Sequence, residues 1–298
     1  MRLVDAHHHV WCPESRDPDI GYGWLRDLGA PKPFGDPTPI QRDYLWPEFL
    51  AEPPEPLAAS VHVQADGAAD PLAEVAWVAR SARAAGHAVA IVGLADLAAP
   101  DVAARIAAMA AWPEFRGVRQ IVARDPERPH LSFAPRDLLA DPDWRRGLGA
   151  LAAAGASFDL QLYAHQAEAA LAALKPHPGL TVIVDHAASP VDGPTGAWRA
   201  AVDRLAARPA TYCKLSGWGM FDPAWTAASI APMVGHILGA FGSDRVMFGS
   251  NFPVDKLMRD YPAALAAVRQ AVEGAGGDPG AVFARTAEAA YRLPAASS

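Results

Sequence analysis

The chain has 298 residues, of which 51% are hydrophobic, and it carries a formal net charge of −7 at pH 7. That length suits one large barrel or two ordinary domains, and so large an apolar share can form a core without disulfides. The acidic balance and the lack of a basic run exclude non-specific binding to nucleic acid or to an anionic membrane surface.

Cysteine usage and hydropathy bear on the compartment. Cys12 and Cys213 are the only cysteines, which is too few for a disulfide framework and suits a reducing environment. The sequence has neither a signal-peptide pattern nor a run of about 18 apolar residues. We therefore expect a cytoplasmic protein that acts on a small molecule, without nucleic acid or membrane partners. A homo-oligomer is compatible with the sequence.

Eight short apolar runs recur along the chain, and each is followed by a turn. They predict strands over residues 2–7, 59–65, 88–95, 117–122, 157–163, 181–185, 211–216 and 245–249. Several are nearly continuous in apolar residues, as in 180–184, and this pattern is typical of parallel strands that are buried on both faces.

Amphipathic stretches separate these runs and predict helices over residues 71–85, 101–111, 143–154, 227–241 and 260–273. The sustained strand–helix alternation predicts an α/β protein, a single-domain (β/α)8 barrel over residues 1–293. An open doubly wound sheet is the alternative, but no glycine-rich nucleotide loop follows any strand. We expect residues 294–298 to form a frayed tail.

Two connections, residues 10–56 and 123–142, are too long to be simple links. Active sites of barrels lie at the C-terminal ends of the strands, so long loops after strands often carry function. The aromatic residues Trp24 and Tyr44 in the first loop are candidates to cover a bound ring. Surface decoration is the alternative for both loops.

Three consecutive histidines end the first predicted strand. Alternate side chains of a strand share a face, so His7 and His9 are expected to point one way and His8 the other. Two imidazoles on one face at a strand end can hold a metal ion. The alternative is that one or two of the histidines are buried and hydrogen-bonded.

Further polar side chains follow the other predicted strands, and in a barrel they would face the same mouth. The candidates are His62, Gln64, Asp96, Arg116, Arg119, Tyr163, His165, Asp185, His186, Lys214, Ser216, Ser250, Asn251 and Asp255. For Arg116 the alternative is a structural ion pair with Glu114. Histidines with a nearby carboxylate or amide can bind Zn²⁺, Mn²⁺ or a similar ion, whereas each histidine taken singly is more often structural. The cationic members predict an anionic or polyhydroxylated substrate.

Five segments resemble the amidohydrolase-related family, and most of all its sugar-lactonase and pyrone-dicarboxylate-lactonase branch. They are residues 5–11, 116–119, 184–186, 213–217 and 248–253. The resemblance implies a distorted (β/α)8 barrel that hydrolyses a lactone ring. It also implies either a single divalent metal, with zinc expected before manganese, or metal-free operation.

Carried over by position, the resemblance makes His7, His9 and His186 the candidate metal ligands. Arg119 matches an arginine expected to hold a substrate carboxylate or hydroxyl, and His165 falls where many members have a histidine after strand five. We expect Lys214, Tyr163 and His62 to contribute to substrate binding from their strand ends.

Asn251 departs from the family pattern, which usually has an aspartate that serves as the general base. An amide cannot accept a proton at neutral pH. The base is therefore expected at Asp255, His186 or His165. Alternatively, a metal-bound hydroxide needs no separate base and Asn251 only orients the water, or hydrolysis has been lost.

The leading hypothesis is a hydrolase that opens a lactone derived from a sugar acid or an aromatic catabolite. Water held at the histidine cluster attacks the ring carbonyl, with His186, Asn251, Asp255 and His165 as catalytic candidates. The alternatives are a metal-dependent decarboxylase of the same superfamily and a small-molecule binder without catalysis.

Overall fold

A computed structural model gives the structure of the chain and describes residues 2–15, 20–30, 32–66 and 70–293. Eight parallel strands form one sheet in which each strand pairs with the next along the chain. They are β1 (Val4–His8), β2 (Ala59–Val63), β3 (Val89–Gly93), β4 (Phe115–Arg119), β5 (Ser157–Leu160), β6 (Val182–Val184), β7 (Thr211–Leu215) and β8 (Val246–Phe248). All eight predicted strands are confirmed, each one to three residues shorter than predicted. The predicted tail, residues 294–298, lies outside the described residues.

Helices follow the strands and cover the sheet. They are α1 (Gly23–Arg26), α2 (Trp46–Ala51), α3 (Pro71–Ala84), α4 (Val102–Ala110), α5 (Pro142–Ala153), α6 (Ala167–Leu174), α7 (Gly196–Ala206), α8 (Ala227–Phe241), α9 (Tyr261–Gly274) and α10 (Thr286–Ala290). The five predicted helices are confirmed as α3, α4, α5, α8 and α9. None of the described helices is long and apolar enough to cross a membrane. The architecture is a single-domain (β/α)8 barrel.

Side-chain caps fix where several of these helices begin. Asp70, Asp141, Thr195, Thr226 and Asp260 each accept a hydrogen bond from a backbone N–H of the first helical turn. Such a cap satisfies one of the N–H groups that has no partner inside the helix. These caps therefore fix the residue at which each of these five helices begins and the direction in which it leaves the preceding loop.

The barrel interior is filled with apolar side chains at one end and polar ones at the other. A buried cluster joins side chains of β1, β2, β3, β6 and β8, which meet only across the interior of the barrel. Tyr291, after α10, packs against this cluster. The opposite end, where the strands finish, holds the histidines.

The join between β8 and β1 is where the barrel is distorted. Residues beyond β8, rather than a strand ladder, bond to β1: the Asn251 N–H donates to the His7 carbonyl and the His9 N–H donates to the Phe252 carbonyl, both at 2.7 Å. Gly249 allows this approach, because a Cβ there would lie 2.6 Å from the His7 Cβ. The join therefore fixes Asn251 beside the histidines of β1.

Candidate active site

A cavity of about 240 Å³ opens at the C-terminal ends of the strands. Five strands contribute to its wall, through His9, Arg119, Gln161, His186 and Asn251. The long loops close its other side with Trp11, Trp24, Lys32, Phe34, Ser132 and Phe133. We call this cavity the cup. A larger cavity of about 850 Å³ lies beside it among α3, α4 and loop 123–142, and no histidine lines it.

Three histidines from two distant parts of the chain meet here: His9 and His186 line the cup, whereas His7 is fully buried against both of them and is not among the described residues that line it. The rings of His7 and His186 lie 4.5 Å apart between centroids, and those of His7 and His9 lie 5.2 Å apart. His8 points the other way, since its ring stacks on Phe49 with centroids 3.9 Å apart. This is the arrangement expected from the alternation of side chains along β1.

The hydrogen bond of His9 determines which ring nitrogen carries the proton. Its Nδ1 lies 2.7 Å from the Val63 carbonyl oxygen, which can only accept, so Nδ1 is the donor. The lone pair of the neutral ring is therefore on Nε2. Burial, reinforced by the charge of Arg119, lowers the pKa of His9 well below its usual value. His9 thus presents an unprotonated nitrogen at neutral pH.

His186 is held by a strained turn. Residues 186–189 all have positive φ values, between 49° and 56°, a conformation that non-glycine residues rarely adopt. The His186 Nδ1 lies 3.0 Å from the Ser216 Oγ, and burial lowers its pKa to about 3. Backbone strain of this kind clusters at functional sites, and here it orients a neutral imidazole that lines the cup.

A buried ionic network lies beneath the cup. The Lys214 Nζ is 2.6 Å from the Asp159 Oδ2, 3.0 Å from the Asp185 Oδ1 and 3.2 Å from the His7 Nδ1. Burial opposes the ionisation of Asp185, but Lys214 and His7 outweigh it and hold its pKa well below the usual value. Burial raises the pKa of Asp159 to about 6. Lys214 therefore neutralises the floor of the site.

One group of donors in the described residues could hold a metal ion. Ligand atoms of His7, Asp185 and His186 all lie within 4.8 Å of one another. Among the described residues, the His7 Nε2 and the Asp185 Oδ2 are buried without a hydrogen-bond partner, whereas the Asp185 Oδ1 lies 3.0 Å from the Lys214 Nζ. Two imidazoles and a carboxylate suit Zn²⁺ or a similar ion, so these residues fit a metal. His9, expected as a ligand, lies outside this group, whereas Asp185 belongs to it.

Asn251 reaches the cup, and Asp255 lies behind it. The Asn251 Nδ2 donates to the Asp255 Oδ1 at 2.9 Å, and the Gly219 N–H donates to the Asp255 Oδ2 at 3.4 Å. Burial raises the pKa of Asp255 to about 7. Asp255 is absent from the described residues that line the cup.

Two cations line the cup. Arg119 is 4% exposed, and its Nε has no partner among the described residues. Its Nη2 donates to the Gln64 carbonyl, which fixes the guanidinium. The Lys32 Nζ lies 5.4 Å from the centroid of the Trp24 ring. Sequence reasoning expects Arg119 and Trp24 at this position, but it does not single out Lys32, whose only signal is its place in a long loop.

Several other candidates are not brought to the cup. His165 is exposed and lies 3.0 Å from the Arg124 carbonyl, and the Tyr163 hydroxyl donates to the Leu131 carbonyl. Both residues follow the end of β5 and lie on a turn that leads away from the cup. His62 faces outward from β2, with its Nε2 3.6 Å from Glu74.

Tyr44 and Lys214 also lie outside the lining of the cup, as far as the described residues show. The backbone of Tyr44 pairs with that of Trp11 at 3.0 Å, so Tyr44 supports the loop that covers the cup. Lys214 lies below it and contacts His7. Gln161 and Phe34, which sequence reasoning does not identify, are part of the lining.

Comparisons of the sequence with known proteins agree on one family. Residues 4–293 match the sequence profile described as amidohydrolase. The chain is 36% identical over 298 residues to the uncharacterized protein y4mH of Sinorhizobium fredii, with 98% of this chain and 99% of that protein covered. It is 31% identical to the L-fucono-1,5-lactonase of Burkholderia ambifaria, with 88% of this chain and 85% of that enzyme covered.

Among solved structures, the fold is similar to that of an amidohydrolase from Burkholderia multivorans with bound zinc. The TM-score is 0.77 at 28% sequence identity, and the comparison covers 99% of this chain and 100% of the other. The likeness therefore extends over the whole barrel.

Proposed function

Because the chain belongs to the amidohydrolase family, we propose that it is a hydrolase that opens the ring of a sugar-acid lactone in the cup. The observation that carries the proposal is the meeting of His7, His9 and His186 beside a small cavity lined by both polar and apolar side chains. The similarity to L-fucono-1,5-lactonase over most of both chains supports the choice of a lactone.

The size and polarity of the cup favour a compact, oxygen-rich substrate. A volume of about 240 Å³ lies slightly below the range of about 300–1,000 Å³ that is usual for ligand pockets. Arg119, whose Nε is free, and Lys32 donate hydrogen bonds to substrate hydroxyl or carboxylate groups. Trp24 and Phe34 cover the ring from the loop side.

The attacking water is deprotonated by an imidazole. The lone pair of the His9 Nε2 is the best defined acceptor, since the Val63 carbonyl holds the proton on Nδ1. Burial holds the pKa of His9 well below its usual value, so this nitrogen carries a lone pair at neutral pH. As water adds to the lactone carbonyl, the Arg119 guanidinium stabilises the negative charge that develops on oxygen. When the tetrahedral adduct collapses, the bond between the carbonyl carbon and the ring oxygen breaks, and His9 returns the proton to that oxygen.

His7, Asp185 and His186 are the residues that would hold a divalent ion, with zinc proposed first and manganese next. When bound, such an ion polarises a carbonyl and lowers the pKa of water. The ammonium of Lys214, 3.0 Å from the Asp185 Oδ1, opposes a second positive charge at this place. The site is therefore proposed to bind a metal less tightly than the same ligands would without the lysine.

A panel of lactones tests the proposal. Sugar-acid 1,5- and 1,4-lactones and 2-pyrone-4,6-dicarboxylate are supplied to the purified protein, and proton release above the spontaneous rate is followed with a pH indicator. Saturable acid release from at least one sugar-acid lactone is expected. Release of carbon dioxide from an aromatic acid would support the decarboxylase instead. Stabilisation by a lactone without turnover would support a binding protein.

A further inference from the structure

Asn251 and Asp255 form a hydrogen-bonded pair in which one member faces the cup and the other is sealed behind it. The backbone of Asn251 is fixed from two sides: its N–H donates to the His7 carbonyl at 2.7 Å, and its carbonyl accepts from the Asp255 N–H at 3.1 Å. Its φ is +58°, a left-handed value that asparagine tolerates better than most residues. The side chain of Asn251 therefore starts from a fixed point.

The chemistry of the pair determines how the amide is turned. Above the pKa of about 7 that burial gives Asp255, its carboxylate is ionised and only accepts hydrogen bonds, so the amide must present its NH₂ group to Asp255. The Asn251 Nδ2 does so at 2.9 Å, and it also lies 3.2 Å from the Met220 Sδ. The carbonyl oxygen Oδ1 is consequently directed away from Asp255. Turning the amide over would place two oxygen acceptors against each other.

Asp255 itself is shielded from any substrate. It is 2% exposed, and its second oxygen accepts from the Gly219 N–H. The neighbouring cations bind other groups. Lys256 pairs with Glu48 and Glu52. The Arg259 Nη2 donates to the Trp225 carbonyl. The one side chain to which Asp255 bonds, among those the structure describes, is therefore the Asn251 amide.

We propose that Asp255 is a positioning residue that locks the Asn251 amide with its Oδ1 toward the cup, where this oxygen accepts a hydrogen bond from the attacking water. The inference rests on the proposed hydrolase function. Asn251 then orients the water without taking its proton, and the proton goes to an imidazole. The carboxylate that the family usually has in the cup stands behind the amide in this chain.

Exchanging the two partners tests the inference. In Asp255→Asn the Gly219 N–H still requires an oxygen, which leaves an NH₂ group facing Asn251 and turns the Asn251 amide over. We expect kcat to fall about tenfold or more, with KM changed less, because the water loses its acceptor. In the double variant Asn251→Asp/Asp255→Asn an acceptor again faces the cup, and we expect most of kcat to return. Thermal melting checks that both variants fold.

A spectroscopic measurement separates this inference from the proposed function. The side-chain NH₂ signals of Asn251, assigned by their loss in Asn251→Asp, are followed by ¹H–¹⁵N correlation between pH 5 and pH 9. Since burial raises the pKa of Asp255 to about 7, we expect these signals to move through that range in the wild type and to stay constant in Asp255→Asn.

The outcomes are distinct. A wild type that hydrolyses no lactone contradicts the proposed function, and the NMR titration then decides the inference alone. Unchanged kcat in Asp255→Asn, or a loss that the double variant does not restore, overturns the positioning role. The positioning role is also overturned if the Asn251 signals stay constant with pH, or if they shift equally in Asp255→Asn.

Discussion

The rings of His7 and His186, which come from β1 and from the turn after β6, lie 4.5 Å apart between centroids. The Lys214 Nζ is 3.2 Å from the His7 Nδ1, beneath the pair. A cup of neutral imidazoles thus rests on a buried, charge-compensated floor. Burial keeps the imidazoles unprotonated, and the floor keeps Asp185 ionised.

The Lys214→Met variant tests the importance of that floor for stability. Removing the ammonium leaves Asp159 and Asp185 facing each other without their shared cation. Breaking a buried ion pair in this way costs about 3–5 kcal/mol, and we expect a loss of that order in the free energy of unfolding measured with urea. Lys175→Met, at an exposed position, is the control. A difference below about 1 kcal/mol would mean that the network contributes little.

Arg119 is expected to act on substrate binding. In Arg119→Met the Nε donor that has no partner among the described residues is lost from the cup. We expect KM to rise about tenfold, as for the loss of one charge-assisted hydrogen bond, and kcat to fall about a hundredfold, because the developing oxyanion loses its donor. Arg119→Lys should recover only part of the affinity for substrate, because an ammonium lacks the planar, fork-shaped set of donors of a guanidinium. The matched control is Arg116→Met, since Arg116 bonds to the Tyr291 carbonyl at the start of β4. Equal KM values for the two methionine variants would refute the assignment.

Zinc titration distinguishes the two candidate ligand sets. We expect Asp185→Asn to weaken Zn²⁺ binding by about tenfold or more, because it removes a charged oxygen donor. His9→Gln should bind as the wild type does, since His9 lies outside the donor group. Calorimetric titration of the metal-stripped protein measures both. Weak binding in His9→Gln together with normal binding in Asp185→Asn would restore the ligand set predicted from the sequence.

His87 is expected to make stability fall in acid. Burial lowers its pKa from the usual 6.5 to about 4, so the unfolded chain takes up this proton before the folded one does. Above pH 6.5 this difference in pKa leaves the free energy of unfolding unchanged. As the pH falls toward 4, it lowers the free energy of unfolding by an amount on the order of 2 kcal/mol. Urea midpoints at pH 7 and pH 4.5 should therefore differ less in His87→Gln than in the wild type.

The comparison of variants is needed because other buried groups titrate in the same range. His7, His8 and His9 act in the same direction as His87, whereas Asp5, Asp159 and Asp255 have raised pKa values and act in the opposite one. All six groups are present in both the wild type and His87→Gln, so their effects cancel when the pH dependences of the two proteins are compared. His130→Gln, at an exposed position, should retain the full wild-type dependence on pH. An identical dependence in His87→Gln would show that His87 is not the group responsible.

The sequence predicts the barrel because the signal is strong and repeated. Runs of apolar residues mark strands that are buried on both faces, and their alternation with amphipathic stretches leaves few topologies. Helices α1, α2, α6, α7 and α10 are not among the predicted helices. In α6 the run of alanines makes the apolar stripe hard to distinguish. The meeting of His7 and His186 follows from the topology alone, since the ends of all strands share one mouth.

The direction of individual side chains is harder to predict. The ladder of β5 ends at Leu160, so Tyr163 and His165 lie on a turn beyond it rather than on the rim. A register shift within β1 and the outward face of β2 place His62 beside Glu74. The pairing of Asn251 with Asp255 depends on a left-handed turn that no local pattern in the sequence specifies.

Hydrolysis of a sugar-acid 1,5-lactone by the wild type and by His186→Asn tests the central claim most directly. The variant keeps a polar side chain of similar reach but removes the imidazole from the cup. Initial rates, corrected for spontaneous opening, are compared with those of His177→Gln, which lies at the other end of the barrel before β6. We predict turnover by the wild type and by His177→Gln. We predict a loss of about a hundredfold or more in His186→Asn, because this imidazole lines the cup and belongs to the donor group that would hold the ion. Equal rates in all three proteins would contradict the account.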